Sequence, residues 1–275
     1  AAWRAELAAC GRARRWGAAL TLVHRLREQA MRADVSVYTA AISACGFGRQ
    51  WAAALEALRH MALAHVRRDV VAFNAAITAC ERGHAWRPAL ELLRQLSVAR
   101  IQADVISYNA SASACGRVSC WEHSVVTLAL MLKQHVPPDA ITYSAVISAC
   151  EKGREWHHAF GLLEQMRRAR MPADAFAYSA AISAGEKTRR WMEALGLFLR
   201  FKVSAVQPNV VICSTAINAC EKGGCWAEAL ALLTEMDLAR VQRDVISFSA
   251  AISACEKGQQ WERAMDLLRL MRRDA

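Results

Sequence analysis

Two series of hydrogen-bonding side chains recur every 35 residues along this chain. One runs Thr39, Asn74, Asn109, Ser144, Ser179, Ser214 and Ser249, and the other Asp34, Asp69, Asp104, Asp139, Asp174, Asn209 and Asp244. An ionised carboxylate only accepts hydrogen bonds, whereas a side-chain amide also donates. An aspartate can therefore accept from the Watson–Crick N–H of guanine or uracil, and an asparagine can donate to the bare ring nitrogen of adenine or cytosine. A short Ser or Thr beside it leaves room for a purine, and a longer Asn fills the space beside a pyrimidine. A structural use competes for the same residues: Asp or Asn just before a helix is a preferred N-cap, worth about 1 kcal/mol. Capping and reading can coexist on one carboxylate. A third series, Arg82, Arg117, Lys152, Lys187, Lys222 and Lys257, repeats a cation on one face, as a phosphate backbone would require. Cations also suit a helix C-terminus, so that alternative stays open.

The elements that position these series repeat with them. Trp16, Trp51, Trp86, Trp121, Trp156, Trp191, Trp226 and Trp261 stand 35 residues apart without a slip. Units begin at Val35, Val70, Val105, Ala140, Ala175, Val210 and Val245. Their fourth place holds Tyr38, Phe73, Tyr108, Tyr143, Tyr178, Cys213 and Phe248, with Trp3 in the truncated unit before them. Cysteine follows at Cys10, Cys45, Cys80, Cys115, Cys150, Cys220 and Cys255, with Gly185 as the exception. Glycine stands three residues on at Gly48, Gly83, Gly153, Gly223 and Gly258, broken by Ala13, Val118 and Thr188.

Helical spacing fills each unit. Tyr143, Val146, Ile147 and Cys150 form one apolar stripe, and Trp156, Ala159, Phe160, Leu163 and Met166 form a second. Gly153 between them is read as the helix stop that takes a positive φ. Alanines such as Ala145, Ala149 and Ala159 permit close approach of the two helices. The tryptophans and fourth-place aromatics share register with the apolar stripes, so they read as core wedges rather than base-stacking platforms. The expected fold is all-α: an α-solenoid of stacked helix-turn-helix hairpins in a right-handed superhelix. Its organisation is a single array, with a partial repeat at 1–34, full repeats at 35–69, 70–104, 105–139, 140–174, 175–209 and 210–244, and a truncated repeat at 245–275.

Composition narrows the function classes. The 275 residues are 55% hydrophobic with 5 prolines, which argues against disorder. The formal charge of +10 points to a polyanionic partner, nucleic acid first. Seven of the ten cysteines recur at one helical place and read as buried thiols rather than a disulfide scaffold. With no Cys-x-x-Cys pair or His-Glu-x-x-His motif, no metal, cofactor or catalytic residue is expected. The longest uncharged run, Val203 to Cys220, contains Gln207, Pro208, Asn209 and Asn218, a poor membrane span. Both ends cut through repeats and no targeting segment stands in this stretch, so a piece of a longer protein is expected.

These 35-residue hairpins carry an aromatic fourth place, a small polar fifth place, Ala-Leu-x-Leu-Leu-x-x-Met in the second helix and a terminal Asp. They resemble the P-type pentatricopeptide repeat across the whole chain. Unit 105–139, opening Val-Ile-Ser-Tyr-Asn-Ala and closing Pro-Pro-Asp, displays it best. The chain departs from the family pattern where Ala33, Arg68, Ala103, Ala173 and Arg243 replace the penultimate proline, which survives at Pro138 and Pro208. The resemblance implies single-stranded RNA as partner, one base per repeat, read by the fifth-place and last-place residues. It implies that second-place Val71, Ile106, Ile141, Phe176, Val211 and Ile246 clamp the base; ordinary packing is the alternative for each. With RNA running 5′ to 3′ along the protein from N to C, the expected core is G-U-U-G-A-G. Thr39 with Asp69 reads G, Asn74 with Asp104 and Asn109 with Asp139 read U, Ser144 with Asp174 reads G, Ser179 with Asn209 reads A, and Ser214 with Asp244 reads G. The implied setting is a mitochondrion or chloroplast, in RNA processing, stability, editing or translation. Two other functions fit the same array: a protein-binding helical scaffold, and the RNA-targeting part of a longer enzyme whose catalytic domain lies outside this stretch.

Overall fold

A computed structural model of the chain describes residues 34–203 and 207–274, with Gly17, Ala18 and Thr21. The readings that fall on Trp3, Cys10, Ala13 and Trp16 lie outside the described residues. Fourteen helices and no strand occur among the described residues. They pair as hairpins: α1 (Val35–Phe47) with α2 (Trp51–Leu63), α3 (Val70–Arg82) with α4 (Trp86–Val98), and α5 (Val105–Arg117) with α6 (Trp121–Lys133). Then follow α7 (Ala140–Gly153) and α8 (Trp156–Arg168), α9 (Ala175–Lys187) and α10 (Trp191–Val203), α11 (Val210–Gly223) and α12 (Trp226–Leu238), and α13 (Val245–Lys257) and α14 (Trp261–Asp274). Each helix begins at a unit start or at a tryptophan, the positions that the 35-residue period marks. The chain divides into two compact units, 1–145 and 146–275.

Burial follows the two stripes. In the first unit, α1, α3 and α5 present Ile42, Ala44, Cys45, Ala76, Ile77, Ala79, Cys80 and Ala114, all buried, against Met61, Leu96 and Met131 of the second helices. Small side chains let the first helices approach: a Cβ added at Gly46 would meet Ala79 Cβ at 3.2 Å. The second unit repeats the scheme with Ile182, Ile217, Met166 and Met236. Gly185, which breaks the cysteine series, compensates for a larger neighbour. Phe160 stands where other units have leucine, valine or methionine, and its Cζ would lie 3.3 Å from a Cβ at Gly185. Volume is conserved across the pair, as close packing demands.

The helix stops differ from expectation. Gly153 is the last residue of α7, and positive φ falls one residue later, at Arg49, His84, Ser119, Arg154, Arg189, Gly224 and Gln259. That residue lets the next backbone N–H reach back to the cysteine-place carbonyl, as Ala85 N–H donates to Cys80 O at 2.9 Å and Glu155 N–H to Cys150 O at 2.8 Å. This six-to-one closure is the Schellman arrangement. The glycine answers to the tryptophan instead. A Cβ at Gly83 would sit 2.6 Å from Trp51, at Gly223 2.5 Å from Trp191, and at Gly258 2.2 Å from Trp226. Each of these rings lies over the glycine of the following unit, so the tryptophans are half-buried brackets between units as well as parts of their own stripe. Trp261 is 70% exposed.

Candidate nucleic-acid interface

Every first helix is capped by the last residue of the unit before it. Asp34, Asp69, Asp104, Asp139, Asp174, Asn209 and Asp244 each accept, through Oδ1, the backbone N–H three residues on, at 2.7 to 3.0 Å. The cap uses one side-chain atom. The second atom is a carboxylate oxygen in the aspartates and a donating amide nitrogen in Asn209, so capping leaves in place the donor or acceptor character on which base reading depends.

The two asparagines of the fifth place meet that second atom. Asn74 donates through Nδ2 to Asp104 Oδ1 and Oδ2 at 3.0 and 2.9 Å, and Asn109 donates to both oxygens of Asp139 at 3.2 Å. A third partner completes each set. The hydroxyl of Ser107 donates to Asn74 Oδ1 at 2.5 Å and lies 2.9 Å from Asp104 Oδ1. Thr142 repeats this with Asn109 at 2.5 Å and Asp139 at 2.8 Å. Burial alone would raise the carboxyls of Asp104 and Asp139, but the hydrogen bonds outweigh it and hold both below the usual aspartate range. Thr39, Ser214 and Ser249 give their single proton to a carbonyl of their own helix, at 2.8, 3.1 and 2.9 Å. Their short side chains leave open the space that an asparagine fills.

Beside these pairs stands a periodic apolar surface. Val71, Ile106, Ile141, Phe176, Val211 and Ile246 are 56 to 67% exposed. Large apolar side chains are thus exposed to water at one place of six successive units.

The cations are engaged with glutamates that the sequence reading passed over. Arg117 pairs with Glu81 of the preceding first helix at 3.2 Å, Lys187 with Glu151 at 2.8 Å and Lys257 with Glu221 at 2.6 Å. Ser113, Ser183 and Ser253 donate to the same three carboxylates. Lys222 lies 3.5 Å from Glu221, and Arg82 stacks over Phe47 at 4.4 Å. The Arg117–Glu81, Lys187–Glu151 and Lys257–Glu221 pairs and the Arg82–Phe47 contact lace neighbouring first helices together, and the exposed ammonium and guanidinium groups keep further donors for another anion.

Burial pushes the thiols of Cys80, Cys115, Cys150 and Cys220 up to about 12, so they stay protonated near neutral pH. The described residues hold no His/Cys/Asp/Glu group suited to a metal ion. None of the described helices is long and apolar enough to cross a membrane. The third-place hydroxyls Ser107 and Thr142 escaped the sequence reading. Their signal was present, because each follows an asparagine by 33 residues, whereas Ala72 and Ile212 follow Thr39 and Ser179 at that distance.

Comparison with known proteins agrees with this architecture. Residues 72–201 match a family model described as pentatricopeptide repeat-containing protein, and 211–241 and 246–274 match the PPR repeat. The crystal structure of the pentatricopeptide repeat protein PPR10 from maize is similar at TM-score 0.70 and 23% identity, over 96% of this chain and 38% of that one. PPR10 in complex with an 18-nt psaJ RNA element aligns at TM-score 0.75 and 17% identity, over 93% of this chain and 37% of that one. The PPR domain of Arabidopsis thaliana protein-only RNase P 1, in complex with tRNA, aligns at 0.55 and 14% identity over 68% of this chain and 95% of that domain. This chain thus spans less than two fifths of the PPR10 chains it resembles. No curated protein sequence matches it.

Proposed function

Since this chain belongs to the pentatricopeptide repeat family, we propose that it binds single-stranded RNA sequence-specifically, one base per repeat. The observation that carries the reading is the run of exposed apolar second-place side chains beside a capped last-place residue that keeps one atom for a ligand. Apolar flanks suit the faces of an unstacked base, and the polar pair suits its Watson–Crick edge. Asn74 with Asp104 and Asn109 with Asp139 read U. Thr39 with Asp69, Ser144 with Asp174, and Ser214 with Asp244 read G, and Ser179 with Asn209 reads A. Ser249 is the fifth-place reader of the last, truncated unit. Arg82, Arg117, Lys152, Lys187, Lys222 and Lys257 contact phosphates. The RNA is a mitochondrial or chloroplast transcript whose processing, stability, editing or translation the binding controls.

Selection of bound RNAs from a random pool, followed by sequencing, tests the reading. Enrichment of G-U-U-G-A-G, with the 5′ base at the N-terminal end, is expected. Bound RNAs that share no six-base pattern would overturn one-base-per-repeat recognition.

A further inference from the structure

The two asparagines differ from the other fifth-place residues in needing their amides held one way round. Asn74 is 9% exposed. Its Nδ2 faces both oxygens of Asp104, so turning the amide over would set Oδ1 against a carboxylate, acceptor on acceptor. With Nδ2 fixed, Oδ1 points into the protein and needs a donor. Ser107 supplies it from the third place of the next unit, and Thr142 does so for Asn109. The amide nitrogen and the carboxylate then stand side by side, a donor group beside an acceptor group.

We propose that the third-place hydroxyl of the following unit is a positioning residue for base selection. Ser107 and Thr142 set the amides of Asn74 and Asn109 so that each pair selects uracil. The proposal rests on the base-reading function above and adds a residue to each reading set. Within one chain the hydroxyl also occurs where it is idle. Ser247 follows Ser214, and its hydroxyl donates to Asp244 O at 2.8 Å and accepts from Asp244 N–H at 3.1 Å, closing a capping box. Ala72, following Thr39, offers no donor. A fifth-place asparagine introduced at 214 therefore finds a hydroxyl that has only to turn from Asp244 O, and one introduced at 39 finds none.

The experiment measures base preference at single positions of the bound RNA, by affinity for a panel of four bases at the third and first positions of G-U-U-G-A-G. Thr142→Val keeps shape and removes the donor. It should reduce preference for U at the third base roughly tenfold, the scale of one lost hydrogen bond to a buried group, with the other five positions unchanged. Thr142→Ser should retain the preference. Asn109→Ser is the control for base reading, and it should move that position away from U. At the first base, Thr39→Asn with Ala72→Ser should favour U more strongly than Thr39→Asn alone. If Asn109→Ser shifts the base and Thr142→Val does not, the positioning role is overturned and base reading stands. A Thr142→Val variant that weakens all RNAs equally also overturns it, since that marks a purely structural hydroxyl. If Asn109→Ser leaves the base unchanged, base reading fails and this proposal fails with it.

Discussion

Asn209 shares its place with six aspartates and differs from them by one atom, an amide nitrogen where they carry a second oxygen. Its Oδ1 caps α11 through Ile212 N–H at 2.9 Å, as an aspartate oxygen does in every other unit. Asn209→Asp therefore keeps shape and cap and converts the remaining atom from donor to acceptor. Preference at the fifth base should move from A toward G by roughly 1 to 3 kcal/mol, the worth of a good base contact; selection with the variant checks it, and continued recovery of A would mark the last place as a cap alone. Asp104 and Asp139 make a second residue-scale prediction. Their carboxyls lie below the ordinary value of 3.8 in the folded chain. A depressed carboxyl contributes stability that is present above the unfolded value and lost as pH falls through the folded one. Thermal stability should accordingly drop on acidification below about pH 4, and an Asp104→Asn, Asp139→Asn double variant should show a shallower drop in melting curves recorded across that range. The acceptor or donor identity of each last place was legible in the sequence. The hydroxyl that orients the asparagine was not read from it, because that partner lies in the next unit, where a single repeat considered alone gives it no task.

At the scale of helices, the period marks the start of every described helix, while the cause of one recurrent residue was misread. Glycine at a helix end ordinarily signals positive φ, but here it makes room for an indole from the unit before. Gly258, at φ −83°, is a backbone position that alanine also tolerates. Gly258→Ala should still destabilise by about 1 to 3 kcal/mol through overpacking against Trp226, and a Trp226→Ala background should remove most of that penalty. Chemical denaturation of the four chains that form this cycle reads the coupling directly. The left-handed position that follows Gly83 predicts the opposite sign. His84 holds φ +60°, a conformation costing an L-residue roughly 1 to 2 kcal/mol. His84→Gly should raise the denaturation midpoint, provided the Ala85 to Cys80 bond is kept. An unchanged or lowered midpoint would show that the histidine ring makes compensating contacts.

For the molecule as a whole, the charge of +10 becomes a prediction about salt. Changing Lys152, Lys187 and Lys222 together to Gln should weaken binding to all RNAs. If all three contact phosphate, the slope of log affinity against log salt should flatten by about 2, from roughly 0.7 per contact on a single strand. A lower melting temperature with an unchanged slope would instead assign these lysines to the lacing between first helices. That the lacing recurs on one series follows from the repeat, since whatever one unit offers its neighbour it offers at the same place every 35 residues. The bonds that cross unit borders bear on how such an array is duplicated or rebuilt. Asn74 finds its hydroxyl at Ser107, and Trp51 finds its glycine at Gly83, each beyond the end of its own repeat. A block copied as 70–104 would carry Asn74 away from Ser107, whereas the 35-residue block 73–107 would keep Asn74 with both Asp104 and Ser107. The cassette to inherit or engineer is thus shifted by about one turn of helix from the repeat that the periodicity marks.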